Sequence, residues 1–253
     1  CCMASGSQAV KAALEEALGQ DNINVKVKHV GCVGICNQVP ILEVHKTGEA
    51  PAVYAKIKPE EVREVIKHHF SPANIVDKAK AGIYNLFDTI VNAEIPRSLT
   101  YYDPVKSDTL FSQFLSPQLS IATEHRGELK PGDIDEYRLR DGFQALHKCL
   151  FHLKPLEVIE EISASGLRGR GGAGFPTATK WKIVNHTSCD KKYIICNGDE
   201  GDPGAFMDRM LLESYPYRII EGMMIAAYAA GASEGIFYIR AEYPLAVERI
   251  FEA

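Results

Sequence analysis

The sequence lacks a long hydrophobic run. Its longest apolar stretch, Gly222-Met-Met-Ile-Ala-Ala-Tyr-Ala-Ala-Gly231, is about half of what a bilayer-spanning helix needs, so a membrane span is excluded from it. It also lacks a basic tail or patch. The net charge of −5 is spread over 28 basic and 33 acidic residues, which argues against nucleic acid as the main partner. No internal repeat and no low-complexity segment stands out. Cysteine is sparse and odd in number, with seven in 253 residues, and no signal-peptide pattern is present. A disulfide scaffold is therefore not expected, and a reducing, cytoplasmic setting is.

What is there is an ordinary globular composition, 46% hydrophobic and 24% charged, with enough chain for one large domain or two ordinary ones. The chain begins on Cys1-Cys2 and stops within a helical pattern, Pro244 to Ala253, so it is expected to be a segment of a longer polypeptide.

Residues 1–72 read as a small α/β unit. Gln8 to Leu18 has apolar positions at helical spacing, and Ser5-Gly-Ser7 stands ready to cap it. Ile23 to Val30 alternates as a strand does. Two more strands are expected at Ile41 to His45 and Ala52 to Ile57, and Pro59 opens a helix running to about Phe70. Residues 73–130 show little periodicity and read as a linker. From 131 to 253 helices alternate with strands: one helix from Asp133 towards Leu150, another from Pro155, a strand at Tyr193 to Cys196, a helix at Tyr215 to Ala230, and a strand at Gly235 to Arg240. That alternation implies a largely parallel sheet with its ligand beyond the carboxyl ends of the strands.

The chemistry concentrates in Ser165-Gly-Leu-Arg-Gly-Arg-Gly-Gly-Ala-Gly-Phe-Pro-Thr177, five glycines and two arginines just before a helix start. Glycine lets backbone N–H groups converge on phosphate oxygens while arginine neutralises charge. Phe-Pro-Thr follows the last glycine where a Walker loop has Gly-Lys-Ser/Thr, and a helix precedes the loop where a dinucleotide fingerprint has a strand. An RNA-binding RGG element repeats in disordered sequence, whereas this one occurs once.

The cysteines offer a second constellation. Cys32-Val-Gly-Ile-Cys36 places two thiols in a glycine-containing loop, and Cys2 adds a third. Iron–sulfur ligation, a zinc site and buried thiols all remain open on spacing alone. A [2Fe–2S] cluster takes four thiolates. Cys149, Cys189 and Cys196 are isolated and read as spectators.

From residue 166 to 243 the chain closely resembles the FMN-binding, NADH-oxidising subunit of respiratory complex I and its soluble relatives in NAD-dependent hydrogenases and formate dehydrogenases. The resemblance is carried by Gly166 to Thr177, Lys180-Trp181, Tyr193-Ile-Ile-Cys-Asn-Gly-Asp-Glu-Gly-Asp-Pro-Gly-Ala-Phe206 and Tyr238-Ile-Arg-Ala-Glu-Tyr243. The first segment looks like a thioredoxin-like [2Fe–2S] ferredoxin domain, with Cys2, Cys32 and Cys36 as ligands and the fourth ligand before residue 1. The implied architecture is α/β: a small thioredoxin-like ferredoxin domain, then a Rossmann-like FMN-binding domain that is incomplete at its carboxyl end.

The resemblance assigns Gly169, Arg170, Gly171, Gly172 and Lys180 to FMN and its phosphate. Asn197, Asp199 and Glu200 fall to the ribityl chain and nicotinamide side, and Phe175 to stacking NADH. Tyr238 and Glu242 line the same cleft, with Glu200 as the catalytic candidate. Ala241-Glu242-Tyr243 stands where the respiratory pattern has Gly-Glu, which favours the hydrogenase and formate dehydrogenase branch. The implied activity is hydride exchange between NADH and FMN, then one-electron transfer to iron–sulfur clusters of partner subunits, with electron bifurcation among the possibilities and a [4Fe–4S] site beyond Ala253. A scaffold subunit or a simple ferredoxin-like carrier is the alternative.

Overall fold

The computed structural model describes residues 2–70, 100–102 and 110–253, with side chains described over 2–70 and 113–253. Cys1 and most of the expected linker, 73–99 and 103–109, lie outside the described residues. The chain divides into two compact units, one of Cys1–His29 and Val33–Ile121, the other of Val30–Cys32 and Ala122–Ala253.

In the first unit, α1 (Ser7–Gln20) buries Val10, Leu14, Ala17 and Leu18, the face its spacing defines. The expected serine cap is replaced by Gly6. Its φ of 89° turns the chain into the helix, and no side chain caps the start. Strands β1 (Ile41–Val44) and β2 (Ala52–Ala55) pair antiparallel, Ile41 opposite Ala55, and β3 (Thr100–Tyr102) lies antiparallel along the other edge of β2. The central strand β2 is buried at all four positions.

The expected strand over residues 23–30 does not form. Ile23 and Val27 pack on the core, but Val25, which a strand would put on the same face, is exposed, and the segment joins no ladder among the described residues. A turn over Pro59–Glu61 leads into α2 (Val62–His69), with the Glu61 carboxylate accepting from the Lys58 N–H at 2.9 Å. Tyr54, fully buried, places its hydroxyl 2.7 Å from His69 Nε2. Helix α3 (Leu110–Leu115) also belongs to this unit.

The second unit holds α4 (Ile134–Leu139), α5 (Gln144–His152), α6 (Pro155–Ala164), α7 (Thr177–His186), β4 (Tyr193–Gly198), α8 (Met207–Ser214), α9 (Pro216–Ala230), β5 (Glu234–Ile239) and α10 (Pro244–Glu252). The single helix expected over 133–150 is two. Asp141 and Phe143 take φ of 63° and 64°, and a Cβ on the intervening Gly142 would lie 2.3 Å from the Tyr137 ring. Glu221, buried on α9, repairs the break: its carboxylate accepts from the N–H of Phe143 at 2.9 Å and of Leu146 at 3.1 Å, and from the Tyr137 hydroxyl. Burial, then the bond to Glu221 and its charge, push the Tyr137 phenol well above its usual range.

Strands β4 and β5 run parallel, Asn197 opposite Tyr238, and α8 and α9 carry the chain between them. One face of this pair is covered. Cys196, Phe237 and Ile239 pack with Leu212, Ile219, Tyr243 and Ala246. A second cluster joins α5, α6, α7 and α9 through Cys149, Val158, Ile159, Ala178 and Ala229. Burial pushes the Cys149 and Cys196 thiols up, in keeping with spectator roles.

Candidate functional site

The glycine-rich segment folds as a hairpin-like loop closed on itself. The Gly169 N–H donates to the Phe175 carbonyl at 2.9 Å, and the Thr177 N–H to the Leu167 carbonyl at 3.0 Å, leaving 170–174 as the apex. Gly172 and Gly174 take φ of 97° and 59°, which L side chains rarely adopt. A Cβ at Gly171 or Gly172 would meet nothing within 4 Å. The apex is therefore open backbone, the form a phosphate cradle requires.

The arginines behave differently from expectation. Arg168 Nε donates to the Gly174 carbonyl at 2.6 Å and Arg170 Nη1 to the Arg168 carbonyl at 2.8 Å, so both guanidinium groups brace the loop. Phe175, just past the apex, is 51% exposed. Lys180 lies in the first turn of α7, exposed.

A second cluster forms beyond the carboxyl ends of β4 and β5. Asn197 and Tyr238, neighbours across the ladder, are both exposed. The Asn197 side chain accepts from the Asp199 N–H at 3.1 Å and so turns the chain out of the strand. Asp199 is exposed. Glu200 does something the sequence did not announce: its two carboxylate oxygens accept from the N–H groups of Asp208 and Arg209, each at 3.2 Å, and so cap α8. Partial burial and the Glu200 charge push the Asp208 carboxyl up.

The Glu200 carbonyl accepts from Arg240 Nη1 at 2.5 Å and from the Tyr243 hydroxyl at 3.0 Å. The Arg240 guanidinium also grips Glu242 through Nε and Nη2, both at 3.1 Å, which holds that carboxyl below its usual range. Beneath these charges, the buried Tyr243 ring faces the guanidinium carbons of Arg240 and Arg209 at 5.2 and 5.4 Å. Arg240, Tyr243 and Arg209 join this cluster although the sequence reading assigned none of them a role. An arginine two residues before an expected acidic site residue was the available signal.

The expected metal ligands are three cysteines. Cys2, Cys32 and Cys36 are half-buried. Among the described residues, no three His, Cys, Asp or Glu side chains are gathered as a metal-holding group. Cys32 falls in the second unit, where its N–H donates to Ser214 Oγ at 2.9 Å, while Cys2 and Cys36 fall in the first. By chemistry the three thiols suit iron.

Two families match the two ends of the chain. Residues 1–69 match the thioredoxin-like [2Fe-2S] ferredoxin family and residues 162–253 the Nuo51 FMN-binding domain. Each match covers its own part of the chain. A ferredoxin domain and an FMN-binding domain thus share one polypeptide, and the open glycine apex fits the flavin phosphate that the second family carries.

The relatives include hydrogenase and respiratory proteins. The alpha subunit of the NAD-reducing hydrogenase HoxS of Cupriavidus necator is 33% identical over 94% of this chain and 35% of its own length. HndC, from the NADP-reducing hydrogenase of Solidesulfovibrio fructosivorans, is 51% identical over 54% of this chain and 27% of its own. A component of the Escherichia coli NADH-quinone oxidoreductase is 40% identical over 47% of this chain and 27% of its own. The chain thus spans about a third or less of the relatives it matches.

Proposed function

We propose that the chain is the flavin and iron–sulfur portion of an NADH dehydrogenase-type subunit within a soluble, multi-subunit oxidoreductase. The observation that carries this reading is the open apex at 170–174, built on the Gly169–Phe175 pair and on two glycines at positive φ. Gly169, Gly171 and Gly172 would floor the flavin, with Arg170 bracing the loop and Lys180 supplying a fixed positive charge. Asn197, Asp199 and Tyr238 would meet the ribityl and nicotinamide side, and Phe175 would stack against the dinucleotide. Bound FMN would take hydride from NADH and release the electrons singly.

Glu200 acts in this reading by ordering the loop that follows β4. Both of its oxygens are engaged on backbone N–H groups, the place of a cap rather than of a general base. The parallel β4–β5 pair with its helical crossover supplies the kernel of a Rossmann-like arrangement. Cys2, Cys32 and Cys36 would ligate the [2Fe–2S] cluster, and a [4Fe–4S] site would stand outside this segment. Among the described residues no helix is long and apolar enough to cross a membrane. The chain would work in the cytoplasm beside iron–sulfur partner subunits. The relatives' names divide between NAD and NADP, so both nucleotides belong in the test.

The full-length polypeptide, purified anaerobically, is expected to contain FMN and to lose flavin absorbance on adding NADH or NADPH. Gly171→Glu places a bulky acid in open space, so folding survives while its charge opposes the phosphate and FMN content falls about tenfold or more. Undiminished flavin in that variant would overturn the loop assignment, and no bleaching in the wild type would overturn the dehydrogenase reading.

A further inference from the structure

Arg240 stands at the end of β5 with each of its three side-chain nitrogens hydrogen-bonded. Nη1 holds the Glu200 carbonyl at 2.5 Å, and Nε and Nη2 hold the two oxygens of Glu242 at 3.1 Å each. Its carbon lies 5.2 Å from the centre of the Tyr243 ring, and the Tyr243 hydroxyl returns to the same Glu200 carbonyl at 3.0 Å. Glu200 then carries the connection onward, since its side chain caps α8 through Asp208 and Arg209. The Arg240 side chain is 24% exposed, whereas that of Glu242 is 65% exposed. The arginine is packed into the frame, and the carboxylate it holds faces outward.

We propose that Arg240 is a positioning residue for the dinucleotide site: its planar fork orients the Glu242 carboxylate and fixes the 199–206 loop through the Glu200 carbonyl, so that both strand ends present a preformed surface to the nicotinamide nucleotide. This rests on the flavin–dinucleotide reading above and deepens it. The physical ground is geometric. A guanidinium offers parallel N–H donors in a rigid plane and satisfies one carboxylate with two of them, leaving a third for a carbonyl in the loop after β4. A lysine ammonium at the same place is a point charge on a flexible stem and cannot hold both partners in one orientation. Because Arg240 neutralises Glu242 where it stands, that carboxylate stays ionised and ordered in the absence of nucleotide. Less conformational freedom is then lost when the ligand arrives.

The test uses the full-length, FMN-loaded protein and a double-mutant cycle on NADH affinity, read from flavin fluorescence and bleaching. Arg240→Gln and Glu242→Gln are each expected to weaken NADH binding about fivefold or more, and the double variant to be no worse than the weaker single, the non-additivity of residues acting as one unit. Arg240→Lys should fail to restore affinity. FMN content should stay at the wild-type level, because the glycine loop is built from its own bonds.

A second readout needs no flavin. In the apo protein, hydrogen exchange at the Asp208 and Arg209 amides should speed up in Arg240→Gln, as the Glu200 cap loses its anchor, while amides of α5 and α6 keep their protection. Strictly additive effects in the cycle, full rescue by lysine, or unchanged exchange at 208 and 209 would each overturn the positioning role. A wild type that takes up FMN but is not bleached would overturn the dehydrogenase reading instead, with the exchange experiment still deciding whether Arg240 anchors the loop.

Discussion

Glu221 shows how one side chain can decide a local fold. Its buried carboxylate receives two backbone N–H groups and a phenol from three points on α4, α5 and the turn between them. Truncation leaves those donors buried and unmatched, and each such loss costs about 1–3 kcal/mol. Glu221→Ala is therefore expected to destabilise the second unit by roughly 3–5 kcal/mol, three such losses partly relieved by relaxation. Thermal melting followed by circular dichroism checks it, and a shift of under about 2 °C would contradict the role. Glu200 is built on the same principle at the site. The chain spends two carboxylates on helix starts whose own flanking residues supply no cap, Phe143 before α5 and Phe206 before α8.

At the scale of elements, α2 ends on His68 and His69, where the sequence suggests cations favoured by the helix terminus. The fold works against that for His69. Burial, then the neighbouring His68 and Lys46 charges, lower its pKa, while its Nε2 meets the Tyr54 hydroxyl. The folded state thus holds His69 neutral, and between its ordinary value of about 6.5 and the lowered one the unfolded chain binds more protons. Stability of the first unit should be full above that ordinary value and fall as pH drops below it. His69→Gln should flatten the slope between about pH 5 and 7 in urea melts followed at several pH values, and an unchanged slope would refute the account. Elements were legible where periodicity was local: α1, β1, β2, α6, α9, β4 and β5 stand within a few residues of their sequence signals. The segment 23–30 failed because alternation specifies a face, whereas a strand also needs a neighbour with open hydrogen bonds.

At the scale of the whole molecule, the proposed reading puts two cofactor chemistries on one polypeptide and on separate residues. Cys36 belongs to the first unit and the glycine apex to the second. Cys36→Ser in the full-length protein is expected to abolish the [2Fe–2S] absorbance and electron paramagnetic resonance signal and to lower iron by about two atoms per chain, as the loss of one two-iron cluster requires. FMN content should hold. Retention of the cluster signal would remove Cys36 from the ligand set.

The sequence by itself carried the likeness to the two families and the run of glycines at the apex, because those depend on residue type at short spacing. Glycine adopts the positive φ of 172 and 174 without strain, and such a run is visible in one dimension. The tertiary structure alone decided that the loop arginines brace the loop, that Glu200 and Glu221 serve as caps, and that Arg240 links both strand ends. Each of those depends on which group the fold brings within 3.2 Å of a side chain, and Glu221 meets partners 75 to 84 residues away. Periodicity does not encode such pairings. They arise when parallel strands and their crossing helices bring separate chain segments to one edge.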